Sequence, residues 1–413
     1  MYKVHDEKLI ANPIRNVVLW FPPFSRTHIL KDPGQIPLNL SRIGYNVRIL
    51  SYEDERNKDL NALDDVQLVK LRKHGGLLHF FDIPLMWYVF KNRTNIGCTI
   101  LYFASLRTAG LSVVLKLLNA KSRYIVKMDS DGKLYHNRTH KPSMAQRMLS
   151  RIIDELAFRF LALSADLLII ESPEAKQRVL DIHPWLERKL VVLPNGINQR
   201  WFDEMSRSAQ VDKGKTILFV GRVERTKGPD LLVRAFSRLK DKYPDWKVEL
   251  VGEMIPTFRT EMEHLISRDL KHRIVLTGPL YGRDLVHKYQ SASIFCFPSR
   301  GEGYSFIDVD YSKPQAKPIP WRESFGIALV EAMYCNCAII SSDVGAARYI
   351  LDYGNAGIIF DTGSVDQLTA CLDKLMGNEP LRNMLATAAR SRCEKLFDWE
   401  VIISELDRHI SNM

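Results

Sequence analysis

Ile217-Leu218-Phe219-Val220-Gly221-Arg222-Val223-Glu224-Arg225-Thr226-Lys227-Gly228-Pro229-Asp230 is the stretch from which the fold can be read. Ile217–Val220 is a continuous apolar run, as expected of a parallel strand covered on both faces. Gly221 permits a tight exit from that strand, and Pro229 suits the first position of a helix. Leu231, Leu232, Ala235, Phe236 and Leu239 then recur at helical spacing and predict a helix over Pro229–Lys240. This is one strand–loop–helix unit of an α/β sheet. Its loop places Arg222 and Lys227 at the carboxyl edge, where ligands of open α/β folds bind. A guanidinium chelates phosphate oxygens with two parallel N–H bonds and an ammonium adds a compact charge, so the pair suits a diphosphate. On this stretch alone, two solvated basic residues in a loop remain the alternative. The glycine spacing is not a dinucleotide fingerprint, and there is no Gly-x-x-x-x-Gly-Lys-Ser/Thr loop.

The same rhythm extends in both directions. In the second half, strands are predicted at Val248–Val251, Ile274–Thr277, Ser293–Phe297, Ala338–Ser341 and Gly357–Phe360. Helices are predicted at Phe258–Arg268, Arg283–Gln290, Gly326–Tyr334 and Val365–Leu375. In the first half, strand signals lie at Val17–Phe21, Asn46–Leu50, Val66–Leu71, Thr99–Phe103, Tyr124–Met128, Asp166–Ile170 and Leu190–Leu193, with helical patterns at Leu111–Leu118 and Met144–Leu163. Two doubly wound, Rossmann-like α/β domains facing across a central cleft follow. The expected division is 1–198, a polar linker at 199–214 after the turn Pro194-Asn195-Gly196, a second domain at 215–395, and a closing segment at 396–413.

The 413 residues, 46% hydrophobic and 26% charged, are ample for two globular domains and exclude a disordered chain. No window of 18 consecutive apolar residues exists, and the opening MYKVHDEKLI is too charged for a secretory segment, so a cytoplasmic compartment is expected. Six cysteines lack zinc or disulfide spacing; Cys335 and Cys337 alone are too few for a metal. The net charge of +10 resides wholly in residues 1–213, with 32 basic and 22 acidic side chains, against 26 of each in 214–413. Lys121, Arg123, Lys127, Lys133, Arg138, Lys141, Arg147 and Arg151 concentrate it. Such a field draws polyanions or anionic lipid headgroups. No nucleic-acid-binding motif accompanies it, so no nucleic-acid partner is expected. Met144–Leu163 has an apolar stripe of Met148, Ile152, Leu156, Phe160 and Leu163 with Arg147, Arg151 and Arg159 off it. This helix either packs its stripe on the sheet or lies on an anionic membrane.

A second cluster is Glu323-Ser324-Phe325-Gly326-Ile327-Ala328-Leu329-Val330-Glu331. The helical pattern begins near Phe325, and a helix start offers unpaired N–H groups and a positive dipole end to phosphate. Glu323 and Glu331 frame that start. Carboxylates accept hydrogen bonds from diols and repel free phosphate, so the pair points to a polyhydroxy ligand on either side of a diphosphate.

Taken together, Gly221-Arg222 with Lys227-Gly228, Pro298-Ser299, the Glu323/Glu331 pair and Pro194-Asn195-Gly196-Ile197 resemble the retaining GT-B glycosyltransferases of family 4. The likeness is strong from about residue 190 onward. It implies that Arg222 and Lys227 hold the diphosphate of a nucleotide-sugar, UDP- or GDP-linked, and that Glu331 binds ribose hydroxyls. It also implies that Glu323 contacts the donor sugar near the reacting carbon. Ser324, Phe325, Gly326 and Ile327 would complete the sugar and phosphate contacts, and the base would pack near Gly252-Glu253 and Pro279-Leu280. No metal or cofactor is implied, and the final segment from Phe397 is implied to cross back to the first domain. The expected function is retaining transfer of a sugar to a saccharide or lipid-linked acceptor in envelope or exported glycan synthesis. An epimerase or phosphorylase of the same fold is the alternative, and a basic nucleic-acid-binding protein is the non-enzyme one.

The chain departs from the family in three places. The usual glycine-rich loop after the first strand is Phe21-Pro22-Pro23-Phe24-Ser25-Arg26-Thr27-His28, stiffer and bulkier. Where relatives carry a histidine at a strand end facing the donor sugar, this chain has Asp129-Ser130-Asp131-Gly132. Asp129 is the expected substitute, with His136 and His140 as fallbacks. An insertion at about 300–322 separates Pro298-Ser299 from Glu323 and reads as a lid or acceptor flap. Within it Asp308-Val309-Asp310 has metal-like spacing but no strand end to hold it.

Overall fold

A computed structural model describes residues 15–22, 24–72, 83–102, 106–119, 121–128, 144–206, 211–305 and 319–413. The first sheet contains β1 (Asn16–Trp20), β2 (Asn46–Tyr52), β3 (Ala62–Leu63), β4 (Val66–Leu71), β5 (Cys98–Tyr102), β6 (Arg123–Lys127), β7 (Leu167–Ile170) and β8 (Leu190–Val192). Their order is β3-β4-β2-β1-β5-β6-β7-β8, parallel except for the short β3. Around it lie α1 (Asp32–Arg42), α2 (Ile83–Lys91), α3 (Leu106–Leu118), α4 (Met144–Ser164) and α5 (Pro173–Ile182). Every residue of β1 and β5 is buried, as strands flanked by two helix layers must be.

α1 lies in a stretch whose Pro33, Gly34 and Pro37 disguise it. Pro33 occupies the first turn, where its missing N–H has no intrahelical partner in any case. Gly34 is required because a Cβ there would stand 2.4 Å from the Ile29 carbonyl oxygen.

α6 (Gln199–Ser206) opens the second half, so part of the segment read as a polar linker is helical. The reason is local. Asn198 caps the helix by accepting from the Trp201 N–H at 3.0 Å, and Phe202 is buried against Tyr334. The second sheet follows with β9 (Gly214–Val220), β10 (Lys247–Val251), β11 (Ile274–Gly278) and β12 (Ala292–Phe297), then β15 (Ala338–Ser342) and β16 (Ile358–Phe360). β13 (Glu302–Ser305) and β14 (Ile319–Arg322) form a separate antiparallel hairpin within the insertion. The helices are α7 (Pro229–Ser237), α8 (Pro256–Leu265), α9 (Gly282–Ser291), α10 (Ile327–Tyr334), α11 (Ala347–Ile350), α12 (Val365–Met376), α13 (Glu379–Leu396) and α14 (Trp399–Ser411).

The strand order of the second sheet, β11-β10-β9-β12-β15-β16, is all parallel and reverses direction between β9 and β12. That reversal separates the loops after β9 and β12 and opens a crevice at the carboxyl edge. α14 crosses to the first sheet. Trp399, Ile402, Ile403 and Leu406 join the core of Val17, Leu19 and Ile36, and Tyr45 donates to Asp407 at 2.6 Å.

α4 packs on the sheet through a face other than the expected stripe. Its buried face is Ala157, Phe158, Leu161 and Ala162, whereas Ile152, Leu156, Phe160 and Leu163 point outward, the last two 56% and 65% exposed. Phe158 and Leu161 fill the space above the sheet, and the flanking alanines let the helix approach it closely. The side chain of Met148, the fifth member of the expected stripe, lies outside the described residues.

Candidate functional site

The loop after β9 is held by its glycines. Gly228 has φ 69°, and a Cβ there would lie 2.0 Å from the Pro298 carbonyl oxygen. The loop is thereby pressed onto the segment after β12, where the Arg300 N–H donates to Thr226 O at 2.8 Å. Arg300 also makes a forked pair with Asp230 at 2.8 and 2.6 Å. Gly252 plays the same part at β10, since a Cβ there would meet Gly221 O at 1.9 Å. The ends of β9, β10 and β11 are thus stitched together, with Val223 N–H bonded to Glu253 O at 2.8 Å and Gly252 N–H to Gly278 O at 2.9 Å. Glu253 and Pro279 are exposed on that edge, beside the half-buried Leu280 and the exposed Tyr281.

Lys227 reaches from this loop to Glu323, Nζ to Oε2 2.7 Å, with their side chains 15% and 8% exposed. Ser299 Oγ donates to the same carboxylate oxygen at 3.1 Å. Arg222 turns instead to Glu224, donating from Nη2 at 2.7 Å and Nε at 3.1 Å. Both cations expected to hold a diphosphate therefore have a carboxylate partner.

α10 begins at Ile327, two residues later than the sequence pattern places it, because Gly326 takes φ 92° and cannot be helical. Glu323 precedes this start, and Glu331 lies one turn inside. Tyr289 Oη donates to Glu331 Oε2 at 2.7 Å. Burial raises the Glu331 carboxyl above the usual carboxylate range, against the lowering effect of Tyr289 and of the Lys31 charge; it also drives the Tyr289 phenol well up.

A cavity of about 490 Å³ lies between the two sheets. Glu323, Ser324, Phe325, Gly326 and Ile327 form one wall, and Phe21, His28, Lys31, Asp32, Lys127 and Glu171 line the other. Of the remaining expected residues, Arg222, Lys227, Gly252, Glu253, Pro279, Leu280 and Glu331 sit outside its lining, Lys227 one contact behind Glu323. Asp129, His136, His140 and Asp308-Val309-Asp310 fall outside the described residues. Among the described residues no group of three or more His, Cys, Asp or Glu side chains is placed to hold a metal. Cys335 and Cys337 are buried, and burial raises both thiols.

Sequence reading did not place Lys31, Asp32 or Glu171 here, and named His28 only within the loop after the first strand and Lys127 only within a basic run. A signal was present for two of them. Lys127 ends the apolar strand Tyr124-Ile125-Val126, and Glu171 follows Leu167-Leu168-Ile169-Ile170. A charge at the carboxyl end of a buried parallel strand faces the ligand edge. His28 is locked by its loop: its Nδ1 accepts the Ser25 backbone N–H at 3.1 Å, so in the neutral ring the proton sits on Nε2.

Residues 202–392 match the family described as glycosyl transferases group 1. The part of the chain that carries this family's sequence pattern is thus residues 202–392. The chain is 28% identical over 222 residues to the phosphatidyl-myo-inositol mannosyltransferase of Mycolicibacterium smegmatis, covering 53% of this chain and 50% of that protein. It is 24% identical over 258 residues to the D-inositol 3-phosphate glycosyltransferase of Corynebacterium aurimucosum, covering 59% and 56%. The chain thus spans about half the length of the curated relatives it matches. HepE of Anabaena, solved with UDP, superposes with a TM-score of 0.70 at 16% identity over 96% of this chain and 100% of that one. Sucrose-phosphate synthase of Thermosynechococcus elongatus gives 0.67 at 18% over 96% and 98%. These likenesses establish the GT-B fold for the two facing α/β sheets.

Proposed function

We propose that this protein is a group 1 glycosyl transferase that moves a sugar, with retention, from a UDP- or GDP-linked donor to a saccharide or lipid-linked saccharide acceptor in envelope or exported glycan synthesis. The observation that carries the reading is the Lys227–Glu323 contact at 2.7 Å beside the start of α10. Cation, carboxylate and helix start meet where a diphosphate and its sugar would be adjacent. In this reading residues 1–198 bind the acceptor and residues 215–395 the donor. Lys227 and Arg222 take the diphosphate, Glu331 the ribose, and Glu323 the sugar hydroxyls; Gly252, Glu253, Pro279 and Leu280 flank the base. The N–H groups near Phe325-Gly326-Ile327 and the two cations neutralise charge as the phosphate departs, a role that does not call for a metal. The acceptor oxygen bonds to the anomeric carbon on the face the phosphate leaves, and its proton passes to the departing phosphate oxygen. Calorimetry with UDP and GDP tests the donor half. Saturable binding of one of them, followed by mass spectrometry of transfer products, supports the reading, and binding of neither defeats it.

The partner surface is read from α2–α4. Trp87, Leu117, Phe160 and Leu163 are 65%, 80%, 56% and 65% exposed. Arg93, which lies over the Phe90 ring at 4.5 Å, and Lys121 add positive charge at the ends of α2 and α3. Exposed aromatics and leucines beside cations fit the headgroup boundary of an anionic bilayer, giving a peripheral location on the cytoplasmic face. Among the described residues no helix is long and apolar enough to cross a membrane. Flotation with anionic but not neutral vesicles, weakened by salt and by Phe160→Asp, is the expected result; equal recovery with both vesicles refutes it.

A further inference from the structure

We propose that Asp32, Lys127, Glu171 and Asn195 form a subsite for an uncharged polyhydroxy group, the end of the acceptor that receives the sugar. The proposal rests on the transfer reading above and narrows its acceptor. The four side chains come from four segments: the first turn of α1, the last residue of β6, the residue after β7, and the turn after β8. The parallel sheet brings them to one edge, and all four line the cavity opposite Glu323 and Ser324.

Lys127 Nζ lies 2.9 Å from Asp32 Oδ2 and 3.0 Å from Glu171 Oε1. Asn195 Nδ2 donates to the same Glu171 oxygen at 2.7 Å. The Lys127 and Glu171 side chains are each only 4% exposed. Asn195 Oδ1 is buried and accepts no hydrogen bond from the described residues. Asn195 is among the residues that line the cavity, and a hydroxyl is a group that can donate to this unfilled acceptor.

Burying three charges is costly, and apolar side chains of similar volume commonly hold a fold as well or better. Stability therefore gives little reason for this cluster, whereas ligand recognition gives a direct one. Among these four side chains one ammonium stands against two carboxylates, a net of −1, with Lys31 on the same wall of the cavity. A phosphate placed here would face two carboxylates in a poorly solvated site, while a hydroxyl can donate to a carboxylate and accept from the ammonium. The acceptor's receiving end is accordingly a neutral polyol, and any phosphate it carries lies away from this cluster. These are positioning residues, since the proton released in transfer goes to the leaving phosphate oxygen.

The test is saturation-transfer NMR on the full chain with and without UDP, using myo-inositol and methyl α-D-glucoside against myo-inositol 1-phosphate and α-D-glucose 1-phosphate. The neutral polyols should bind at least about tenfold more tightly than the phosphates. Glu171→Gln, which is isosteric and leaves Lys127 paired to Asp32, should weaken polyol binding about tenfold, the usual effect of losing a charged hydrogen-bond partner. UDP affinity should stay within about twofold. Asn195→Ala leaves the ion cluster intact and should lower polyol binding alone, so a folding defect in the first variant does not decide the matter. Preference for the phosphates, no polyol signal in either condition, or unchanged polyol binding in both variants overturns the proposal. Failure of the wild type to bind any nucleoside diphosphate is a separate outcome. It defeats the transfer reading, while the arm without UDP still decides the subsite.

Discussion

On the second-domain wall of the cleft, the charged side chains come from two short stretches, Arg222–Lys227 and Glu323–Glu331, and each cation already has a carboxylate partner. On the first-domain wall, Asp32, Lys127, Glu171 and Asn195 come from four separate strand and helix ends, and one ammonium serves two carboxylates. The second-domain wall is a local motif clamped by glycines. The first-domain wall is assembled from the ends of strands and of one helix. A balanced pair can open to admit a diphosphate, whereas an excess of carboxylate favours hydroxyl groups over phosphate.

Substitutions at the Lys227–Glu323 pair test that contrast most severely. Glu323→Gln should lower transfer by about 10²–10³-fold, the scale of losing one group that stabilises the transition state. Nucleoside-diphosphate affinity should rise, because Lys227 is released from its partner. Lower affinity in calorimetry would mean that Glu323 serves the nucleotide and not the sugar. Lys227→Ala should reduce that affinity at least about tenfold and also lower the melting temperature, since breaking a buried pair costs about 3–5 kcal/mol. Lys227→Met with Glu323→Gln should recover the melting temperature and not the affinity; recovery of both would remove Lys227 from the diphosphate site.

Gly228→Ala probes the clamp. Its left-handed φ costs about 1–2 kcal/mol for any L side chain, and overlap with Pro298 O adds to that. Chemical denaturation should show a loss of at least this size, with weaker nucleotide binding. Unchanged values would show that the loop relaxes away from β12. The smallest effect concerns pH. The Glu331 carboxyl is raised by burial, so it takes up its proton at higher pH than in the unfolded chain. As pH falls through this window, nucleoside affinity should drop while stability gains relative to Glu331→Gln, because the native state binds the extra proton. Parallel pH profiles for wild type and variant would separate Glu331 from the ribose site.

The strands of the second sheet were legible to within a few residues, from Ile217–Val220 through Gly357–Phe360, because buried parallel strands announce themselves as apolar runs. α13 was not, since its buried stripe of Leu385, Ala386, Ala389 and Cys393 is narrow and mostly small. α1 was hidden by two prolines and a glycine that only its packing against Ile29 explains. The stripe on α4 was visible, but its direction was not. Periodicity defines a face and does not say whether the sheet or the solvent meets it. Of the expected site residues, Arg222 and Lys227 share one loop and Glu323 and Glu331 flank one helix start, groupings that follow from closeness along the chain.

Sequence alone determined the two α/β halves, the loop–helix units of the second one, and the confinement of excess positive charge to the first. These follow from local propensity and composition, which need no knowledge of neighbours. Tertiary structure decided that Lys127 lies between Asp32 and Glu171, that Lys227 is held by Glu323, and that the α4 stripe faces outward. Each depends on which strand ends the sheet order makes adjacent, and the physical reason is that such pairings join residues far apart along the chain, whose approach is set by the packing of whole elements.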